Sequence, residues 1–179
     1  MSDNGKKRNI DLKILLIGDA NVGKTTLLLK YLEGEFVVNL DITWRGVNLF
    51  RKMITKNKAN EEAINYFINI WDIAGSENYI DFFSLITEPM NAIIIQTNAD
   101  NVEYSLNRWI YVVKKFVSID FKIFLFVINK NEPPLDETNL QNLVNQFNLT
   151  KHFVIDSKNT QQVNNTFEFI FNSIITSLT

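Results

Sequence analysis

Cysteine is absent from the 179 residues, which excludes a disulfide framework, a thiolate zinc site and a cysteine nucleophile. The same absence leaves this chain no site for S-acylation or prenylation, and position 2 is not the glycine that myristoylation needs. A single histidine, His152, is too few for a histidine-based metal site. Three prolines and six glycines form no linker, so the chain reads as one domain. No apolar run approaches the length of a bilayer span; the longest are short stretches at 92–95 and 123–128. Neither charge sign dominates: 18 Lys and Arg against 20 Asp and Glu give a net charge of -2. That balance argues against a nucleic-acid binder, which normally carries a basic excess. Lys6, Lys7 and Arg8 precede no apolar signal core and read as a solvated terminus. The expectation is a flexible polar segment over 1–10, a folded domain over 11–179, and a cytoplasmic protein that meets membranes only peripherally, through partners.

What the chain does have is an ordinary globular balance, 46% hydrophobic and 21% charged. Its 24 asparagines and 22 isoleucines reflect AT-rich coding; the asparagines are scattered and form no prion-like tract. Short apolar runs alternate with amphipathic ones. Strands are expected at 11–18, 47–54, 64–72, 92–97, 122–128 and 152–156. Helices are expected at 24–32, 79–86, 102–117, 139–147 and 163–178, with a polar loop from 33 to 42. The charged stretch 55–62 reads as a long hairpin tip. Fully apolar strands interleaved with helices imply an α/β fold, a mostly parallel six-stranded sheet covered on both faces, with one antiparallel edge strand.

The strongest chemical signal is the run Gly18-Asp19-Ala20-Asn21-Val22-Gly23-Lys24-Thr25-Thr26, a GxxxxGKT motif between an expected strand and an expected helix. Backbone N–H groups of such a loop, with the helix N-terminus, can wrap a β-phosphate. Lys24 supplies a point charge to the β- and γ-phosphates, and the Thr25 hydroxyl is a hard oxygen ligand for Mg²⁺. Asn21 stands where glycine is common, and asparagine tolerates left-handed backbone better than most residues. A second strand ends in Trp71-Asp72-Ile73-Ala74-Gly75. A carboxylate there suits outer-shell Mg²⁺ binding, and Gly75 lets a backbone N–H approach a γ-phosphate. Alone this DxxG pattern is weak; its value comes from pairing with the GKT loop.

Together these residues resemble the Ras superfamily of small GTPases, the Rab branch most closely, over nearly the whole chain. The resemblance implies the P-loop NTPase three-layer sandwich. It places Phe36 over the guanine base and Thr43 in switch I, beside Mg²⁺ and the γ-phosphate, with its hydroxyl as the metal ligand. The metal set it implies is Thr25, Thr43 and Asp72. Asn129, Lys130 and Glu132 stand at the NKxD base-recognition motif, and Asp156, Ser157 and Lys158 at the SAK motif. Residues 75–93 match switch II and the strand after it. The catalytic set it implies is Lys24, Thr43 and Ser76.

The departures are informative. Ser76 replaces the glutamine that orients the attacking water, and its hydroxyl is too short for that task, so hydrolysis is expected to be slow unless Glu77 or a partner supplies the contact. Glu132 replaces an aspartate that forks onto the guanine edge; it keeps the charge and adds a methylene. Guanine is still expected over adenine, with weaker selectivity. Asp156 and Ser157 replace a small Ser-Ala pair whose backbone does the recognising. Trp44-Arg45-Gly46 carries one residue more than the usual TxG, so partner surfaces are altered; Trp44 reads equally as an exposed anchor or as a ring folded back.

The leading expectation is therefore a Rab-like, Mg²⁺-dependent GTP/GDP switch of signalling or vesicle trafficking. Its partners would be an exchange factor, a GTPase-activating protein and effectors, met through both switches and the 47–72 hairpin. The alternative is a pseudo-GTPase that holds nucleotide structurally as a scaffold. A P-loop ATPase or kinase fits the base and switch motifs less well.

Overall fold

Strand alternation sorts the central side chains between two cores. In β1 (Arg8–Gly18), Leu12, Ile14 and Leu16 enter one core while Leu15 and Ile17 enter the other. β5 (Ala92–Asn98) divides in the same way, Ala92 and Ile94 against Ile93 and Ile95. So does β6 (Lys122–Ile128), Phe124, Phe126 and Ile128 against Leu125 and Val127. A strand buried on both faces has no polar side to show, which is why these runs read as continuously apolar.

The structure is a computed structural model, and it describes residues 8–33, 38–44, 46–57, 63–75, 90–116, 121–129 and 135–178. The remaining elements are α1 (Lys24–Leu32), β2 (Val38–Trp44, backbone only), β3 (Val47–Lys56), β4 (Ile64–Ile73), α2 (Val102–Phe116), α3 (Glu137–Phe147), β7 (Lys151–Ile155) and α4 (Thr160–Thr176). The sheet runs β2-β3-β4-β1-β5-β6-β7. β4, β1, β5, β6 and β7 are mutually parallel, and β3 alone is antiparallel to its two neighbours. α1 and α4 cover one face; α2 and α3 cover the other. This is the expected α/β three-layer architecture.

Two details differ from the sequence reading. The sheet has seven described strands where six were expected, because Val38–Trp44 pairs antiparallel with β3. The reversed strand, β3, is consequently interior, and β2 forms the edge. Segment 33–42 looked like a polar loop, yet its sequence alternates apolar Val38, Leu40, Ile42 and Trp44 with polar Asn39, Asp41 and Thr43. That period of two is the signature of a strand with one protected face. β1 also begins at Arg8, three residues earlier than the apolar pattern suggested. The β3–β4 hairpin keeps an unbroken register from Val47↔Ile73 to Lys56↔Ile64. The helix expected at 79–86 lies outside the described residues.

The helices around the site end are well fixed. Asp136 caps α3, accepting from the amides of Thr138 and Asn139, and Asn148 closes it in left-handed backbone at φ 53°. Asn159 caps α4 by accepting from the Gln162 amide. The apolar stripe Val163, Phe167, Ile170, Phe171 and Ile174 seats that helix on the sheet, with Tyr31 of α1 stacked 4.6 Å from Phe167.

Candidate phosphate-binding site

β1 delivers the chain to Gly18, where a side chain is impossible. Its φ is 144°, and a Cβ would lie 1.9 Å from the Gln96 carbonyl oxygen. The loop then passes through left-handed backbone at Asn21 (φ 61°) and Gly23 (φ 84°), and α1 starts at Lys24. Asparagine thus does at position 21 what glycine does at 23. Gly75, just beyond β4, presses on the same loop: a Cβ there would fall 2.3 Å from the Asp19 carbonyl carbon and 2.4 Å from the Ala20 nitrogen. The GKT loop and the DxxG segment are therefore in direct backbone contact.

Lys24 is 6% exposed, and its ammonium donates to the carbonyls of Gly18 (2.9 Å) and Asp19 (2.8 Å). Burial pushes its pKa below the ordinary value, against the pull of Asp72 and Asp19. Asp72, at the end of β4, is 2% exposed. Its Oδ2 accepts from the Thr25 hydroxyl at 2.5 Å and from Asn48 at 3.4 Å, while its Oδ1 is buried with no partner among the described residues. Burial holds this carboxyl above its usual range, and the bonds from Thr25 and Asn48 and the charge of Lys24 offset the rise only in part.

An orphaned carboxylate oxygen beside a hydroxyl is a donor set for a hard cation. Thr25 and Asp72 offer oxygen only, which suits Mg²⁺ completed by phosphate and water. Among the described residues no cluster of three His, Cys, Asp or Glu exists that would hold a metal without such help. Thr43, the third expected ligand, is described for its backbone alone, within β2.

The opposite end of the loop opens on a cavity of about 280 Å³ lined by Val22, Gly23, Thr26, Lys30, Gln96 and Ser157, among others. The structure thus brings together the loop, the first turns of α1 and the 156–158 segment. Lys30 fastens that segment by donating to the carbonyls of Ser157 (2.7 Å) and Lys158 (2.9 Å). The Asp156 carboxylate caps its own turn at the Lys158 amide, and the Asp156 amide donates to Gln162. Asn129 sits at the end of β6, its amide bonded to the Ile155 carbonyl. Phe36, Ser76, Glu77, Lys130 and Glu132 lie outside the described residues.

Three supporting residues escaped the sequence reading. Gln96 is fully buried and donates to the Val22 carbonyl at 2.9 Å, Lys30 clamps the 157–158 carbonyls, and Asn48 reaches Asp72 from β3. Only Gln96 left a signal, a polar residue directly after the apolar run at 92–95.

Comparison with known proteins agrees with this geometry. The family model "Roc: Ras of Complex, Roc, domain of DAPkinase" matches residues 13–132. The Ras-related protein Rab-11B of Dictyostelium discoideum is 29% identical over 181 residues, covering 93% of this chain and 77% of that one. RabS of the same organism is 31% identical over 107 residues, 58% of this chain and 48% of its own. Mouse Rab-26 is 23% identical over 128 residues, 70% of this chain and 47% of its own, so the chain spans about half the length of that relative. With the family model running from β1 to just beyond β6, and Rab proteins among the relatives, the chain belongs to the Ras superfamily of small GTPases as a Rab-like member.

Proposed function

We propose that the chain is a Mg²⁺-dependent GTP/GDP switch whose own hydrolysis of GTP is slow. The observation that carries this reading is the pairing of Thr25 with Asp72, whose second oxygen has no partner among the described residues, beside a loop that already buries Lys24. Bound Mg²⁺, which Thr25 and Asp72 would hold, would supply positive charge to offset that of the phosphates. Loop amides from Gly18 to Thr26 cradle the phosphates, and Lys24 exchanges carbonyl partners for phosphate oxygens. Thr25 and Asp72 hold the cation side, with Thr43 of switch I completing it. Gly75 presents its amide to the γ-phosphate.

Base recognition falls to Asn129, Lys130 and Glu132, with Phe36 over the ring. Of the 156–158 segment, the Asp156 amide is engaged by Gln162, which favours assigning the base contact to the Ser157 amide. The 47–72 hairpin and the two switches would meet exchange factor, GTPase-activating protein and effectors. None of the described helices is long and apolar enough to cross a membrane.

Slow hydrolysis follows from Ser76. The electrostatics of Lys24 and the cation survive, and only the orientation of the attacking water is lost. Phosphate release from protein preloaded with GTP tests this directly. Ser76→Gln should raise the single-turnover rate with little change in nucleotide affinity, because the restored contact acts in the transition state. A fast wild-type rate, insensitive to the substitution, would assign the water to Glu77 instead. No turnover in either protein, with nucleotide firmly bound, would leave the scaffold reading.

A further inference from the structure

Asp19 is a carboxylate inside an anion-binding loop, which on charge alone should oppose phosphate. Its surroundings explain how the loop accommodates it. Three residues of α2, Ser105 and the pair one turn further on, Arg108 and Trp109, all donate to its side chain. The Ser105 hydroxyl bonds Oδ2, the Trp109 indole Nε1 bonds Oδ1 at 3.0 Å, and the Arg108 guanidinium bonds Oδ1 at 3.3 Å. Ser105 and Trp109 are buried, and Ser105 in turn accepts from Thr97 of β5 at 2.9 Å. The main chain of the same residue faces Lys24, whose ammonium donates to the Asp19 carbonyl. One residue therefore links the phosphate-binding lysine, on the helix of one sheet face, to α2 on the other face.

We infer that Asp19 is a positioning residue that suspends the phosphate loop from α2, with Arg108 and Trp109 holding its charge off the phosphate site. The inference rests on the switch reading and deepens it: α2 sets how firmly the loop grips nucleotide. Charge-assisted hydrogen bonds are the strong ones, and three share this carboxylate. Their loss frees both the loop backbone and the carbonyl that steers Lys24.

The test is the dissociation rate of N-methylanthraniloyl-GDP from the full chain in Mg²⁺, read beside thermal stability. Asp19→Ala should release nucleotide about 10-fold faster, and Arg108→Gln, at a partly exposed site, about 3-fold faster. Asp19→Asn keeps one acceptor oxygen, enough for the indole or the serine but not both, and should fall between wild type and alanine. Val113→Ala, on the same helix but within its apolar core, should lower stability without hastening release. Wild type and variants releasing at one rate would overturn the inference while leaving the switch reading intact. Release by Val113→Ala as fast as by Asp19→Ala would reduce Asp19 to structural support and overturn it equally. A wild type that binds no labelled GDP would defeat the switch reading and this inference with it.

Discussion

Two lysines are buried to nearly the same degree on this molecule, Lys24 at 6% exposure and Lys52 at 7%, and they meet different surroundings. Lys52, on β3, has its charge answered within the protein. It bonds the Tyr31 hydroxyl and lies 3.1 Å from the Glu168 carboxylate, which also accepts from Tyr31 at 2.6 Å. Burial raises the Glu168 carboxyl, but the bonds from Tyr31 and Lys52 and the nearby lysine charges outweigh it and hold the pKa below 4.5. Among the described residues Lys24 bonds only loop carbonyls, and Asp72, the carboxylate that pulls most on its charge, has one oxygen without a partner. Closed networks stabilise a fold. Open ones, held in place by their surroundings, leave valence for a ligand.

The largest effect should separate the lysines by readout. Lys24→Ala should lower GTP affinity by at least about 100-fold in a fluorescent-nucleotide titration, with ligand-free stability little changed. Lys52→Ala should do the converse, costing about 2 kcal/mol in denaturant unfolding while nucleotide affinity stays near wild type. Equal losses in both readouts for both variants would erase the distinction.

A second, smaller effect concerns Asp72. Its folded pKa lies above 3.8, so the folded state retains a proton that the unfolded state releases. Ligand-free stability should therefore fall as pH rises through that window. Asp72→Asn should remove the fall and raise the melting temperature at neutral pH without Mg²⁺, yet abolish the stabilisation that GTP with Mg²⁺ gives the wild type. Melting curves with and without the cation check both halves.

The smallest effect is the mirror case. Glu168 has its folded pKa depressed, so its contribution is present above pH 4.5 and lost as pH falls through the folded value. Glu168→Gln should flatten that acid-side loss. The group is nearly half exposed, so solvent screening keeps the change modest.

How far the sequence foretold all this depended on whether a residue's role was local. Gly18, Gly23, Lys24 and Thr25 announce themselves because a phosphate loop needs those types at that spacing between a strand and a helix. Asp72 and Gly75 were legible as a pair with that loop. The buried strands at 92–98 and 122–128 could be read because burial on both faces removes polar residues. β2 was missed because its alternation, though regular, sits among charged neighbours and belongs to an edge. The tertiary roles of Asp19, Asn48 and Lys30 were invisible for a different reason, and that of Gln96 left only a polar residue after its apolar run. Their partners lie 24 to 128 residues away in sequence, and a polar residue's long-range partner leaves no periodic trace. The base-recognition end was read from the resemblance, and its Lys130 and Glu132 lie outside the described residues.

The most direct test of the account is a competition titration on the wild-type chain, displacing labelled GDP with GTP or ATP, with and without Mg²⁺. The account predicts displacement by GTP, a clear preference over ATP narrowed by Glu132, and tighter binding when Mg²⁺ is present. Equal displacement by ATP, or affinity indifferent to the cation, would contradict it.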